Sequence, residues 1–147
     1  MTHQDEIENL TKILRYSLGT TAFLAGADKF TNLLTDWEKY LSPMVANRLP
    51  VSPKSFMRAI GVIEMLVGVG ILKGHERPVG YICSIWLLAI TANLLTKPEN
   101  LDVAVRDANL AIEAYALAKL ATLKRWSPAL ELGKEKLTEM DELHRAS

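Results

Sequence analysis

The sequence predicts an all-α protein: an antiparallel four-helix transmembrane bundle with a short amphipathic helix between helices 1 and 2. Three observations lead to this fold class. Four strongly apolar segments of roughly 17 to 22 residues alternate with charged stretches, and a helix of that length crosses the bilayer core. The third segment contains no charged residue. Proline, glycine and helix-capping residues stand at several segment ends, as expected for helix boundaries.

The first two predicted spans have different boundary signals. Span one covers residues 13–34 and contains a run without charges from residue 16 to residue 27. Span two covers residues 56–72. A serine followed by a proline, Ser52-Pro53, precedes span two and favours a helix start, and a glycine two residues after its end favours a helix stop.

The last two predicted spans are bounded by polar residues and prolines. Span three covers residues 79–96, between Pro78 and the pair Lys97-Pro98. It is apolar on all sides, which is unusual for a helix of a small water-soluble bundle. Span four covers residues 102–123, and Asp102 is its predicted N-cap.

The connection between spans one and two predicts the amphipathic helix. Apolar and aromatic residues, including Trp37 and Tyr40, recur at helical spacing across residues 36–49. Pro43 interrupts the pattern and allows two shorter pieces. A helix that carries Trp and Tyr suits a membrane interface, but packing onto the end of the bundle explains the pattern equally well.

Charge and length set the domain organisation. The chain has 17 basic and 17 acidic residues, so its net charge gives no reason to expect a nucleic-acid partner. We expect a single domain over residues 1–147, with the bundle at about 11–125 and a polar C-terminal tail at 126–147. Lysine and arginine are modestly enriched on the side of the two termini. This bias predicts a multi-pass protein of the inner (plasma) membrane with both termini in the cytoplasm.

Six polar residues inside the spans are the candidate functional residues. In an up-and-down bundle, a rise of 1.5 Å per residue places all six about 5–12 Å from the outer ends of their helices. Charged side chains are unfavourable in lipid and are therefore expected to turn inward and meet. The sequence predicts a buried charge network or ligand pocket formed by Asp28, Lys29, Glu64, Asn93, Arg106 and Asp107.

Two interpretations of this cluster remain open from the residues alone. The charges could hold the helices in order and register. They could instead line a pocket for a polar head group, such as a quinone carbonyl, or relay protons. Glu64 is then the proton-holding candidate, because its own helix offers no neighbouring base. Asn93 and Trp86 share one helix face and could supply a hydrogen bond and a flat ring.

Other site chemistries find no support in the sequence. His3, His75 and His144 are scattered without metal-ligand spacing, so we predict no metal site. The single cysteine, Cys83, cannot form a disulfide within the chain. Because motifs for nucleophilic catalysis or phosphate binding are also missing, the sequence leaves open whether the protein is an enzyme. It indicates no covalent cofactor.

Three stretches carry a resemblance to a known family. The stretches are LRYSLGTTAFLAGADKF, GVIEMLVGVGILKG and DVAVRDANLAIEAYALAKL. Together they resemble the DoxX-like family of small four-span membrane proteins, over roughly residues 11–123. The matching polar positions are Asp28, Lys29, Glu64, Arg106 and Asp107.

The resemblance implies an accessory or quinone-interacting subunit of a membrane redox system, since namesakes of the family belong to a thiosulfate:quinone oxidoreductase. It implies a lipid bilayer and other subunits of a redox complex as partners, and quinone as a noncovalent cofactor. Two alternatives stay open. One is a non-catalytic structural or interaction membrane protein. The other is a soluble, water-adapted four-helix bundle of the same fold, which a mean hydropathy of +0.09 permits.

Overall fold

The computed structural model describes residues 3–146, without the side chains of residues 3, 127–131, 134 and 146. Within residues 3–146 the chain forms helices and no β-strand, so the predicted all-α class is confirmed. The α-helices are α1 (His3–Thr31), α2 (Pro43–Ala46), α3 (Pro53–Leu72), α4 (Glu76–Leu94) and α5 (Leu101–Ala146). Short 3₁₀ turns at Trp37–Tyr40 and Pro98–Asn100 complete the described elements.

Helix α1 ends three residues before the predicted end of span one at residue 34. Asn32 has a positive φ of 52°, a conformation that ends helices because it turns the chain away from the helix axis. The carboxylate of Asp28 then accepts hydrogen bonds from the backbone N–H groups of Leu33 and Leu34. These two groups would otherwise continue the helix, so the side chain of Asp28 fixes the helix end.

The connection between the first two spans consists of two short helical pieces, which is the arrangement that the position of Pro43 allows. Leu41 and Ser42 separate the 3₁₀ turn at Trp37–Tyr40 from helix α2, and the Ser42 hydroxyl accepts a hydrogen bond from the N–H of Val45. Pro43 occupies the first position of α2, where its missing N–H is tolerated. Residues 37–46 are called the cap segment below.

The other predicted boundaries lie within a few residues of those in the structure, except the end of span four, which was predicted at residue 123. The hydroxyl of Ser52 accepts a hydrogen bond from the N–H of Ser55 and starts α3. Gly74, with a φ of 90°, allows the tight turn into α4. Helix α5 is continuous from Leu101 to Ala146, so it joins the predicted bundle and the predicted tail in one helix.

Helices α1 and α3 pack closely along a glycine contact. A Cβ atom on Gly26 would lie 2.5 Å from the carbonyl oxygen of Gly61, and one on Gly68 would lie 2.7 Å from that of Gly19. Both distances are too short for a side chain, so the backbones touch at two levels of the antiparallel pair. Small residues at such contacts let helix backbones approach closely.

We expect Gly26→Ala to lower the free energy of unfolding by about 1–3 kcal/mol, because the added methyl group must push α1 and α3 apart. Gly133→Ala is the matched control, since a Cβ there has no atom within 4 Å. The control should be neutral or stabilise by up to about 1 kcal/mol through helix propensity. Thermal unfolding in mild detergent, followed by circular dichroism, measures both. Equal stability of the two variants would contradict the close contact.

Helices α4 and α5 form the second close pair. A Cβ on Gly80 would lie 2.9 Å from the carbonyl oxygen of Ala114. The side chains of Leu18, Ile71 and Leu117 are almost fully buried and join the two helix pairs into one core. This core lies toward the end of the bundle at which α3 turns into α4, called the turn end. The opposite end, which carries the cap segment, is called the cap end.

Ion pairs at the turn end hold α1 against its neighbours. Arg15 of α1 forms a salt bridge with Glu76 at the start of α4, and Glu76 is buried. Glu8 lies 3.8 Å from the ammonium of Lys124 on α5. Lys12 donates a hydrogen bond to the Glu8 carboxyl, and this bond and the positive charge of Lys12 lower the pKa of that carboxyl.

The outer surface of the bundle is rich in large apolar side chains. Exposed members on the four long helices include Phe23, Val62, Leu66, Ile82, Ile85, Leu88, Val105 and Ile112. Among residues 3–146, however, α3 alone is long and apolar enough to cross a membrane by length and composition, with a mean hydropathy of 1.8. Charged residues such as Arg15, Asp28 and Arg106 make α1 and α5 less hydrophobic.

Candidate functional site

A cavity of about 530 Å³ lies between the α1/α3 pair and the α4/α5 pair, beneath the cap segment. Its wall is mostly apolar and includes Leu18, Val67, Cys83, Leu87 and Leu110. Polar side chains line the part nearer the cap end. The cavity is therefore amphipathic, with a polar region at one end and an apolar region that extends toward the turn end.

Lys29 and Glu64 form the central ion pair of this polar region. The Lys29 Nζ atom lies 2.5 Å from Oε2 of Glu64, and the two side chains are only 4% and 14% exposed. The same ammonium lies 3.6 Å from the ring centroid of Trp37 in the cap segment, a favourable cation–π distance. The pair thus links α1 to α3 and contacts the cap segment above it.

Asp28, the neighbour of Lys29, does not line the cavity. Successive residues of a helix point about 100° apart, so the two side chains cannot share one direction. The Asp28 carboxylate accepts hydrogen bonds from the hydroxyl of Thr31 at 3.0 Å and from the indole N–H of Trp37 at 2.8 Å. The same carboxylate accepts the hydrogen bonds from the backbone N–H groups of Leu33 and Leu34. Asp28 therefore ends α1 and fixes the position of Trp37.

Arg106 and Asp107 pair with each other at the start of α5. The Arg106 Nε donates a hydrogen bond of 2.9 Å to Oδ1 of Asp107. Asp107 is 8% exposed and Arg106 is 54% exposed at the side chain. Both line the cavity, so the cavity wall carries two acids and two bases whose formal charges cancel.

Asn93 fastens the cap segment to the end of α4. Its Oδ1 accepts a hydrogen bond from the N–H of Ser42 at 3.2 Å, and its Nδ2 donates one to the carbonyl oxygen of Tyr40 at 2.9 Å. Lys97 adds a hydrogen bond to the carbonyl oxygen of Lys39. The predicted partner of Asn93 on the same helix face, Trp86, also lines the cavity.

The structure brings Lys29, Glu64, Asn93, Arg106 and Asp107 to one cavity and leaves Asp28 outside its wall. Sequence reasoning missed the contact of Trp37 with both Asp28 and Lys29, for which the local sequence contains no signal. It also missed the Arg15–Glu76 pair. The depth argument could have found that pair, because both residues stand near the same end of their predicted spans.

The polar side chains of the cavity can form hydrogen bonds and transfer protons. Among the described residues, no group of three or more His, Cys, Asp or Glu side chains could hold a metal ion. Lys29 and Arg106 can donate to a carbonyl or hydroxyl oxygen, and Glu64 can accept or release a proton. The indole N–H of Trp86 is buried and finds no hydrogen-bond acceptor within the described part of the chain.

Comparisons with protein-family models, with curated proteins and with solved structures find no match for this chain.

Proposed function

We propose that this chain is an integral membrane protein of DoxX-like type that binds a quinone in the cavity. In this proposal α1, α3, α4 and α5 cross the inner (plasma) membrane, with both termini in the cytoplasm. The chain serves as an accessory or quinone-interacting subunit of a membrane redox system. The observation that carries the proposal is the buried Lys29–Glu64 pair at the polar end of an otherwise apolar cavity.

The outer surface supports the membrane location. Large apolar side chains such as Leu66, Ile85 and Ile112 are 65% exposed or more in the isolated chain. Water-soluble monomers rarely expose extended apolar patches, whereas lipid chains would cover these residues favourably. The residues that lower the hydropathy of α1 and α5 include Arg15, Lys29 and Asp107, which are paired inside the bundle.

The cavity suits a ligand with an uncharged polar head. Its four charged side chains balance one another, so a charged head group would be left without a counterion. Quinone carbonyls need hydrogen-bond donors, and Lys29, Arg106 and the unused indole N–H of Trp86 are available. The quinone supplies the electron-accepting chemistry. The chain binds and orients it, keeps water away and offers Glu64 as a group that can take up a proton and pass it on, while electrons come from another subunit.

One observation favours a second, non-catalytic function. The Lys29–Glu64 pair joins α1 to α3 one turn from the Gly26–Gly61 contact, where it also fixes the register of these helices. A structural or interaction protein would need no more than this. In that case the cavity holds lipid without selectivity, and the same charges act only as helix contacts.

Quinone retention tests the two functions against each other. The protein is extracted from its membrane into lipid nanodiscs, and bound small molecules are identified by mass spectrometry. We expect quinone to accompany the wild type and Glu113→Gln, a control acid on α5 outside the cavity wall. Glu64→Gln should lose it by about tenfold or more, because the Lys29 ammonium, which donates to the quinone carbonyl, is then no longer held in place by a carboxylate.

The half-exposed Arg106 gives a second variant that does not disturb the core, should Glu64→Gln fail to fold. Arg106→Gln, whose amide N–H can still donate to Asp107, is then expected to lower quinone retention while the protein stays folded. A wild-type protein that carries no quinone would reject quinone binding and leave the structural function. Folded variants that retain quinone fully would instead show that its head does not lie at these charged residues.

A further inference from the structure

The two helix pairs approach each other unevenly around the cavity. Helices α1 and α3 are in contact along their glycines, and α4 and α5 are in contact along Gly80. Helices α1 and α5 also pack against each other, whereas α3 and α4 contact each other sparsely. The contacts between α3 and α4 include one near the turn end, where a Cβ on Gly70 would lie 3.1 Å from the side chain of Val79. Away from that turn, the side of the bundle between α3 and α4 is the least closed.

The cap end of the cavity is closed by the cap segment. Trp37, Tyr40 and Leu41 all line the cavity from above, and the two hydrogen bonds of Asn93 fasten this segment to α4. Leu41 is 8% exposed. A ligand therefore does not enter along the bundle axis from this end, and the core of Leu18, Ile71 and Leu117 closes the turn end.

The two lateral sides of the cavity differ in chemistry. The α3–α4 side is lined by side chains without charge: Phe56, Ile60, Trp86, Ala89 and Ile90. The α1–α5 side carries the exposed hydroxyl residue Thr21 and the half-exposed guanidinium of Arg106. A hydrocarbon chain is compatible with the first side, whereas passage across the second would strip water from a charged group.

We propose that the ligand enters sideways from the bilayer between α3 and α4 and leaves its apolar chain in that gap while its head lies at Lys29 and Glu64. The ligand class is then a long-chain amphiphile with an uncharged polar head, which rests on the proposed function. A cavity of about 530 Å³ is of the size that holds drug-sized ligands. A longer chain must project through an opening, and the α3–α4 gap is the apolar one.

A blocked gap tests this route. Ala89 on α4 is exposed and lines the cavity, whereas Ala92 on the same helix is exposed and does not. Ala89→Trp narrows the gap, and Ala92→Trp is the matched control. Thr21→Trp places the same bulk on the α1–α5 side. Binding of two quinones that share a head group, one with a long prenyl chain and one without a chain, is measured by calorimetry in nanodiscs.

We expect Ala89→Trp to weaken binding of the long-chain quinone by about tenfold or more and to leave the chainless quinone within about twofold. Ala92→Trp should bind both quinones like the wild type, whereas Thr21→Trp, which adds bulk to the cavity wall, should change the binding of the two quinones equally. Equal effects of Ala89→Trp on the two quinones, or no effect, would overturn the lateral route, as would selective loss in Thr21→Trp. If Ala89→Trp does not fold, Ala89→Leu carries the same expectation. A wild type that binds neither quinone would instead reject the proposed function itself.

Discussion

Replacement of Lys29 by methionine is expected to lower the free energy of unfolding by about 3–5 kcal/mol, because it leaves the buried carboxylate of Glu64 without its partner. Lys29 Nζ lies 2.5 Å from that carboxylate, and 4% of the Lys29 side chain is exposed. The substitution also removes the cation from the face of Trp37. Thermal or denaturant unfolding of the purified protein in mild detergent measures the loss.

The double variant Lys29→Met, Glu64→Leu separates the pair from the packing around it. Exchange of a buried ion pair for apolar residues of similar volume is often neutral or stabilising, so the double variant should recover most of the stability. A double variant as unstable as Lys29→Met alone would show that lost packing, and not an unpaired charge, causes the destabilisation. Wild-type stability in Lys29→Met would show that the pair does not hold α1 to α3.

Replacement of Asp28 by alanine is expected to lower the free energy of unfolding by about 3 kcal/mol or more. The carboxylate accepts hydrogen bonds from Leu33, Leu34, Thr31 and Trp37. Each hydrogen bond to a charged acceptor contributes about 1.5–3 kcal/mol, and part of this is regained from water. Hydrogen exchange of the Leu33 and Leu34 amides, combined with unfolding curves, measures the effect locally and globally.

Asp36→Ala is the control for Asp28→Ala. Asp36 also caps a helical turn with its carboxylate, but it accepts one exposed hydrogen bond from the N–H of Glu38. The loss of one such cap is expected to lower stability by about 0.5–2 kcal/mol. Similar losses in the two variants would mean that Asp28 acts as an ordinary exposed cap, without the buried contacts to Trp37 that the structure shows.

Local signals explain why most helix ends could be predicted. Ser52, Pro53 and Gly74 act on backbone groups within a few residues, so their effect can be read from the sequence. The end of α1 depends instead on one side chain, Asp28, that reaches five and six residues ahead. Apolar residues continue at helical spacing beyond Asn32. The sequence therefore predicted that the first helix ends at residue 34, three residues too late.

Long-range contacts could not be predicted in the same way. The cap segment is held by Asn93, which lies 51 residues from Ser42 in sequence. The helical spacing of Trp37 and Tyr40 predicted an apolar face but not the surface it covers. In the structure Trp37 and Tyr40 line the cavity, Trp37 contacts Lys29, and the backbone of Tyr40 bonds to Asn93 of α4. The segment thus packs onto the end of the bundle, which was one of the two alternatives.

The depth argument explains the polar region of the cavity only in part. It places Lys29 and Glu64 at similar levels of antiparallel helices, and the structure pairs them. Depth alone does not say toward which side of the helix a side chain points, so the argument also included Asp28. The Asp28 carboxylate instead bonds to residues 33, 34 and 37. Arg106 and Asp107 lie at the expected level but pair with each other and not across the bundle.

Alkaline washing of membranes that contain the full chain tests the membrane location most directly. At high pH, peripheral proteins are released, whereas proteins with spanning helices stay with the lipid. We expect the chain to remain in the membrane fraction and to need detergent for extraction, because the proposed function places the exposed apolar faces of its four long helices in lipid. Recovery of folded protein in the supernatant without detergent would contradict the membrane-embedded bundle, and with it the lipid-accessible cavity.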